Sequence, residues 1–307
     1  MKFMRKMTRV SRRHQDGFTI VELMVAAIVG AIILAGAVAS YVHLKELWGT
    51  QKEISRMYQK LRGSIYLMSY EFQMAGRSGL LPRDQTQFGL TDIKRYAPDG
   101  VTPDPNGLPR LTLASLVNDV NGDGLLTDKD VPAGIVTITY QLMDADGDGL
   151  WDLMRDDGSG VGPQMVTDDI EAFSLSYAFD ANQDGQLDDN PPGSGNIIWA
   201  IDTDNDGSLD ADLDANGDGN FNELDDTTGD GWIRGDDGAP LATPVPAARI
   251  RQVRMNLLIR APNANSHFLD AEWHVVGDRV IPPPNDYFRR RQLTMTIMLR
   301  NREEQLQ

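Results

Sequence analysis

An acidic pattern, Asp, x, polar, x, Asp, Gly, occurs six times, beginning at Asp119, Asp144, Asp180, Asp202, Asp214 and Asp226. The third positions are Asn121, Asp146, Asn182, Asp204, Asn216 and Thr228, and the fifth are Asp123, Asp148, Asp184, Asp206, Asp218 and Asp230. Glycine stands at the sixth position of every copy, and the eighth is apolar throughout: Leu126, Trp151, Leu187, Leu209, Phe221 and Ile233. Oxygens at positions 1, 3 and 5 converge when the backbone wraps tightly, the glycine permits the sharp turn, and the apolar residue pins the loop to a core. Hard oxygen donors without His or Cys favour Ca2+ over transition metals. A complete loop also needs a closing carboxylate. Asp130, Asp225 and Asp237 stand at position 12 of the first, fifth and sixth copies, whereas in the other three Asp152, Asp188 and Asp210 at position 9 are available for that role.

None of the copies is flanked by helical patterns on both sides, which sets them apart from EF-hands. The last three, spaced by 12 residues, resemble thrombospondin type 3 repeats, or dockerin loops without their helices. The competing reading is a solvated acidic surface that binds nothing specific. Without counter-ions the aspartates repel one another, so the segment from Asp180 to Asp237 is expected to be disordered in metal-free solution. The chain has no cysteine, so an exported domain has no disulfide and must be held by its core or by metal ions, and calcium is expected to act as the staple.

A second chemistry lies near the amino end. Six basic residues and one acid precede Gly17, a formal +5, and Phe18 to Val42 then run for 25 residues with Glu22 as the sole charge. That run is long enough to cross the roughly 30 Å of bilayer hydrocarbon, and the basic flank keeps the amino end cytoplasmic. A carboxylate in lipid costs about 2.5 to 3.5 kcal/mol on insertion scales. Cleavage after Gly17 would give Phe18 a free ammonium one helical turn from Glu22. Ala37-Val38-Ala39 before Ser40 also fits a secretory cleavage site, so the two processing schemes predict different mature amino termini, Phe18 or Ser40.

Gly17, Phe18, Thr19 and Glu22 resemble the class III signal of type IV prepilins and type II secretion pseudopilins. The resemblance implies cleavage after the glycine by a membrane peptidase, methylation of the new terminus, and pairing of Glu22 with the amino terminus of a neighbouring subunit. Later segments are similar to PilW-type minor pilins and the J-type pseudopilin: Tyr70 to Gly76, the strand and turn from Ile138 to Arg155, and Leu299-Arg300-Asn301-Arg302.

The elements that carry these groups follow from periodicity. Ile54, Tyr58, Leu61, Ile65, Met68, Phe72 and Ala75 recur at spacings of four and three, an apolar stripe on a helix that continues the greasy segment. Four alternating stretches predict strands: Val136 to Leu142, Phe173 to Phe179, Val253 to Ile259 and Leu293 to Leu299. The expected fold is α+β, with a leader at 1–17, a long helix at 18–79 and an antiparallel sheet head at 80–307. Calcium loops are inserted into that head, concentrated at about 180–237. The stripe should face the sheet.

Net charge is −16, and −21 once the leader is removed, which argues against nucleic acid as a partner. His14, His43, His267 and His274 form no ligand cluster, and neither a Ser-His pair nor a phosphate-binding glycine loop is evident, so no enzyme is expected. The partners implied by resemblance are major and minor pilin subunits, the prepilin peptidase and the inner membrane before export to the cell surface. A type IV pilus minor pilin acting in assembly initiation or at the tip, a type II secretion pseudopilin, and a tip adhesin module all remain open at this point.

Overall fold

The computed structural model describes residues 18–76, 89–118, 120–127, 129, 133–237 and 239–299. The chain divides into two units, residues 1–53 and 54–307. One helix, α1 (Ile20–Met74), contributes to both. Within the first unit its residues up to Gly49 are exposed, and its most apolar stretch has a mean hydropathy of 2.5, long and greasy enough to cross a membrane.

The helix begins with a capping box. The Thr19 hydroxyl accepts from the Glu22 backbone N–H at 3.2 Å, and the Glu22 carboxylate accepts from the Thr19 N–H at 3.0 Å and from its hydroxyl at 2.9 Å. The helix ends at Met74, where Ala75 and Gly76 form a turn with Gly76 at φ 78. The expected end at residue 79 lies outside the described residues.

In the second unit α1 buries Met57, Leu61, Ile65, Met68, Phe72 and Ala75 in the main core. Two positions depart from the expected stripe. Tyr58 is exposed, with the Arg291 guanidinium 6.0 Å from its ring, and Met57 takes the core place instead, one position round the helix. Ile54 is half-buried. Full burial of a side chain such as Phe72 stabilises by about 1.5–3 kcal/mol.

Fourteen strands follow: β1 (Gly89–Asp92), β2 (Arg95–Tyr96), β3 (Leu108–Pro109), β4 (Leu111–Leu116), β5 (Ile135–Met143), β6 (Trp151–Asp156), β7 (Gln164–Phe179), β8 (Ala200–Ile201), β9 (Ser208–Asp212), β10 (Ala239–Pro246), β11 (Ile250–Arg260), β12 (His274–Val276), β13 (Arg279–Ile281) and β14 (Arg290–Met298). Ten form one sheet along the path β1-β4-β5-β6-β7-β8-β9-β10, with β11 joining β7 to β14. Every pairing is antiparallel. The expected strands correspond to β5, β7, β11 and β14. β10 ends the path, and its sequence carries Pro240, Pro244 and Pro246.

Alternation along β11 decides which side chains meet the helix. Val253, Met255, Leu257 and Ile259 join the core that includes Phe72, while Arg254, Asn256 and Leu258 lie on the opposite face. Over that face folds the β12–β13 hairpin, whose Val276 packs on Leu258. Its turn comes so close that a Cβ on Gly277 (φ +62) would lie 2.3 Å from the Ser174 Oγ.

Two ionic groups clamp the unit. Glu71 of α1 accepts from Arg155 of β6 at 2.8 Å and from the Tyr140 hydroxyl of β5. Arg290, at the start of β14, is almost fully buried and donates to Glu171 at 2.5 Å, Asp286 at 2.7 Å and Asp270 at 3.1 Å.

The segment at 180–237 is woven into the head. It supplies β8 and β9 to the main sheet, and a small second core of Ile201, Ala211, Leu213, Ile233 and Val280 forms around it.

Candidate functional site

The acidic copies occupy strand connections. The second joins β5 to β6 and the fourth joins β8 to β9, while the third and fifth follow the ends of β7 and β9. In all five copies described from their first residue, the glycine N–H at position 6 donates to the carboxylate at position 1, over 2.8–3.3 Å. In all six, the N–H at position 7 donates to the carboxylate at position 5. The position 6 glycines have φ between 82 and 95. Position 4 is also left-handed in every copy: Gly122, Gly147, Gln183, Asn205, Gly217 and Gly229. The sequence carried that signal, since four of these six are glycine.

The closing acids fall into two classes. Asp152, Asp188 and Asp210, at position 9, each accept from the N–H at position 2, over 2.9–3.2 Å. Asp225 and Asp237, at position 12, instead accept from the N–H at position 3, at 3.3 and 2.7 Å. Of these, Asp210 and Asp237 join the other carboxylates of their loops, one from position 9 and one from position 12.

Three groups bring carboxylate oxygens within 4.8 Å of one another: Asp144, Asp146 and Asp148; Asp202, Asp204 and Asp210; and Asp226, Asp230 and Asp237. Asp152 and Asp206 stand outside those groups, in the second and fourth copies. The acids of the third copy (Asp180, Asp184, Asp188) and of the fifth (Asp214, Asp218, Asp225) do not gather so closely, though each of these copies adds an amide oxygen, from Asn182 or Asn216. In the first copy Asn121 and Asp123 are described, while Asp119 and Asp130 lie outside the described residues.

Asp152, Asp202, Asp214, Asp225 and Asp237 are buried without an ion-pair partner among the described residues. Burial pushes the Asp202 and Asp212 carboxyls up to about 6, with neighbouring aspartates adding to the shift. Burial likewise raises Asp152, Asp188 and Asp225. Such a set of desolvated acids fits a hard divalent cation, whose charge would replace the missing counter-ions.

The other candidate residues lie at the amino end. Gly17 and the leader are outside the described residues; Phe18 is exposed, and Glu22 is held by Thr19 as above. The Thr-x-x-Glu spacing is a capping box in its own right, and that spacing is visible in the sequence.

Residues 12–38 match the prokaryotic N-terminal methylation motif. Residues 198–301, from just before β8 to past the end of β14, match the type IV pilus-assembly protein W family. Both matches support a place in the type IV pilin superfamily. Among solved structures, a type IV-like pilin from Thermus thermophilus is a distant likeness, with 12% identity and a TM-score of 0.39 over 81% of this chain and 99% of that one. No curated protein matches the chain.

Proposed function

We propose that this chain is a minor pilin of a type IV pilus, made as a prepilin, cleaved after Gly17 and methylated on Phe18. The observation that carries the reading is the methylation motif at residues 12–38, set on a helix whose first half is apolar and exposed on all sides. The match of residues 198–301 to the pilus-assembly W family favours this machine over a secretion system. Before assembly the apolar half of α1 lies in the inner membrane. On extraction it packs against the same segment of major and minor pilin subunits, and the subunit acts in assembly initiation or at the filament tip.

In this scheme Glu22 has two successive duties. It caps its own helix through Thr19, and in the filament it meets the ammonium of a neighbouring subunit's processed terminus. Mass spectrometry of the mature protein tests the scheme. A methylated Phe18 terminus is expected; a chain beginning at Ser40 or retaining its leader overturns it.

Calcium completes the head in the same reading. Asp144, Asp146 and Asp148, with the Asp202 and Asp226 groups, would hold it. When bound, the ion supplies the positive charge that the buried acids lack. The acids then fix the connections between β5 and β6 and between β8 and β9, and extracellular calcium marks arrival outside the cytoplasm.

A further inference from the structure

A cleft of about 450 Å³ opens on the sheet face opposite the helix. Its walls come from the fifth acidic loop (Gly219 to Phe221) and from the β12–β13 hairpin (Val275, Gly277), and its floor includes Arg254, Asn256 and Thr294. The volume is in the range of small-molecule sites.

Two side chains on that floor, Arg254 and Asn256, have unspent donors. The Arg254 side chain has neither an ion pair nor a hydrogen bond among the described residues, and its buried Nε has no acceptor. Its guanidinium carbon lies 3.8 Å from the centre of the Trp199 ring and 5.0 Å from that of Phe221. Two residues along β11, Asn256 is 3% exposed. Its Oδ1 accepts from the Thr294 hydroxyl at 2.8 Å, which fixes the amide, yet its Nδ2 has no acceptor. Opposite Arg254 on β7, the buried Ser176 hydroxyl is also without a partner.

A buried donor left unpaired costs about 1–3 kcal/mol, more when it is charged. No aspartate or glutamate lines this cleft, although the chain has 45 of them. An arginine held by two rings, an orphaned amide N–H beside it and the exclusion of acids from the walls describe a site for an anion with a planar pair of acceptors. The geometry points to a carboxylate-binding site centred on Arg254, taking either an acidic sugar or the terminal carboxylate of a peptide. The guanidinium fork meets the two oxygens of such a group side by side.

Isothermal titration of the processed full-length protein in detergent and calcium-containing buffer tests this. The probes are sodium glucuronate, N-acetylglycine and neutral glucose. One or both carboxylates are expected to bind at millimolar concentration or better and glucose not at all, and the acid that binds identifies the source. Arg254→Gln should weaken binding at least about tenfold. Arg260→Gln, which alters a ring-stacked arginine outside the cleft lining, should leave it unchanged. Should Arg254→Gln lower the melting temperature, Asn256→Asp serves instead, because it places an acid beside the guanidinium and blocks the anion without removing the stacked cation. Three results overturn the proposal: neither carboxylate binding, glucose binding equally, or a folded Arg254→Gln or Asn256→Asp protein binding as the parent does.

Discussion

Chelation of calcium is the perturbation with the largest expected effect on the head. Three groups gather their carboxylate oxygens within 4.8 Å, and extracellular loops of this chemistry have affinities of about 10⁻⁴ to 10⁻³ M. At roughly 5 mM calcium each filled loop contributes about 1 to 2.5 kcal/mol by mass action. Three independent loops together contribute about 3 to 7 kcal/mol. A domain of this size gains about 2–4 °C per kcal/mol, so the melting temperature should fall by about 6 to 28 °C when calcium is replaced by EDTA. Circular dichroism or differential scanning fluorimetry reads the shift. Magnesium at the same concentration should restore little of it, because it demands a tighter octahedral geometry and dehydrates reluctantly. Coincident melts in calcium and EDTA, or full rescue by sodium chloride of matched ionic strength, would refute the reasoning and leave a solvated acidic surface in its place.

Further predictions concern single groups. Glu22→Gln keeps a capping-box partner for Thr19 but removes the charge, so loss of filament incorporation with this variant, scored by immunoblot of sheared fibres, is expected; normal incorporation would assign Glu22 to capping alone. Arg290→Met should destabilise the head by about 3–5 kcal/mol in denaturant unfolding, because it leaves Asp270 buried, and Glu171 half-buried, without the guanidinium that pairs with both. In EDTA, stability should rise as pH falls from above 6 toward about 4. The folded chain binds protons at Asp202 and Asp212, both at about 6, more tightly than the unfolded chain with its ordinary value of 3.8. Carboxyls held low, such as Asp286 by hydrogen bonds from Arg290, begin to oppose this only below that window. Urea midpoints at pH 7 and pH 5 check the sign, and calcium should reduce the gain by the share that comes from Asp202.

The sequence is most legible where one local period dominates. β5, β7, β11 and β14 are nine or more residues long and each shows an alternating stretch in sequence, and α1 is apolar over a long stretch, so each could be read alone. Strands such as β2, β3 and β8 have two residues each, too short for any period, and exist because neighbours offer them partners. The loops showed their glycine and oxygen spacing, but the docking of position 9 and position 12 acids on different N–H groups depends on backbone path. The cleft was invisible. Trp199, Phe221 and Arg254 are far apart in the chain and meet only after β11 is laid beside β7. The Arg290 cluster is hidden for the same reason, since Glu171 and Asp270 reach it through the tertiary fold.

The prolines of β10 have one more consequence. Pro240, Pro244 and Pro246 have no N–H, so this margin of the sheet offers an incomplete ladder to any strand that approaches from another molecule. Crowded heads are thereby discouraged from zipping together edge to edge, as they would in an amyloid-like stack. For the fibre subunit proposed above, that seam is one along which neighbouring heads would otherwise fuse.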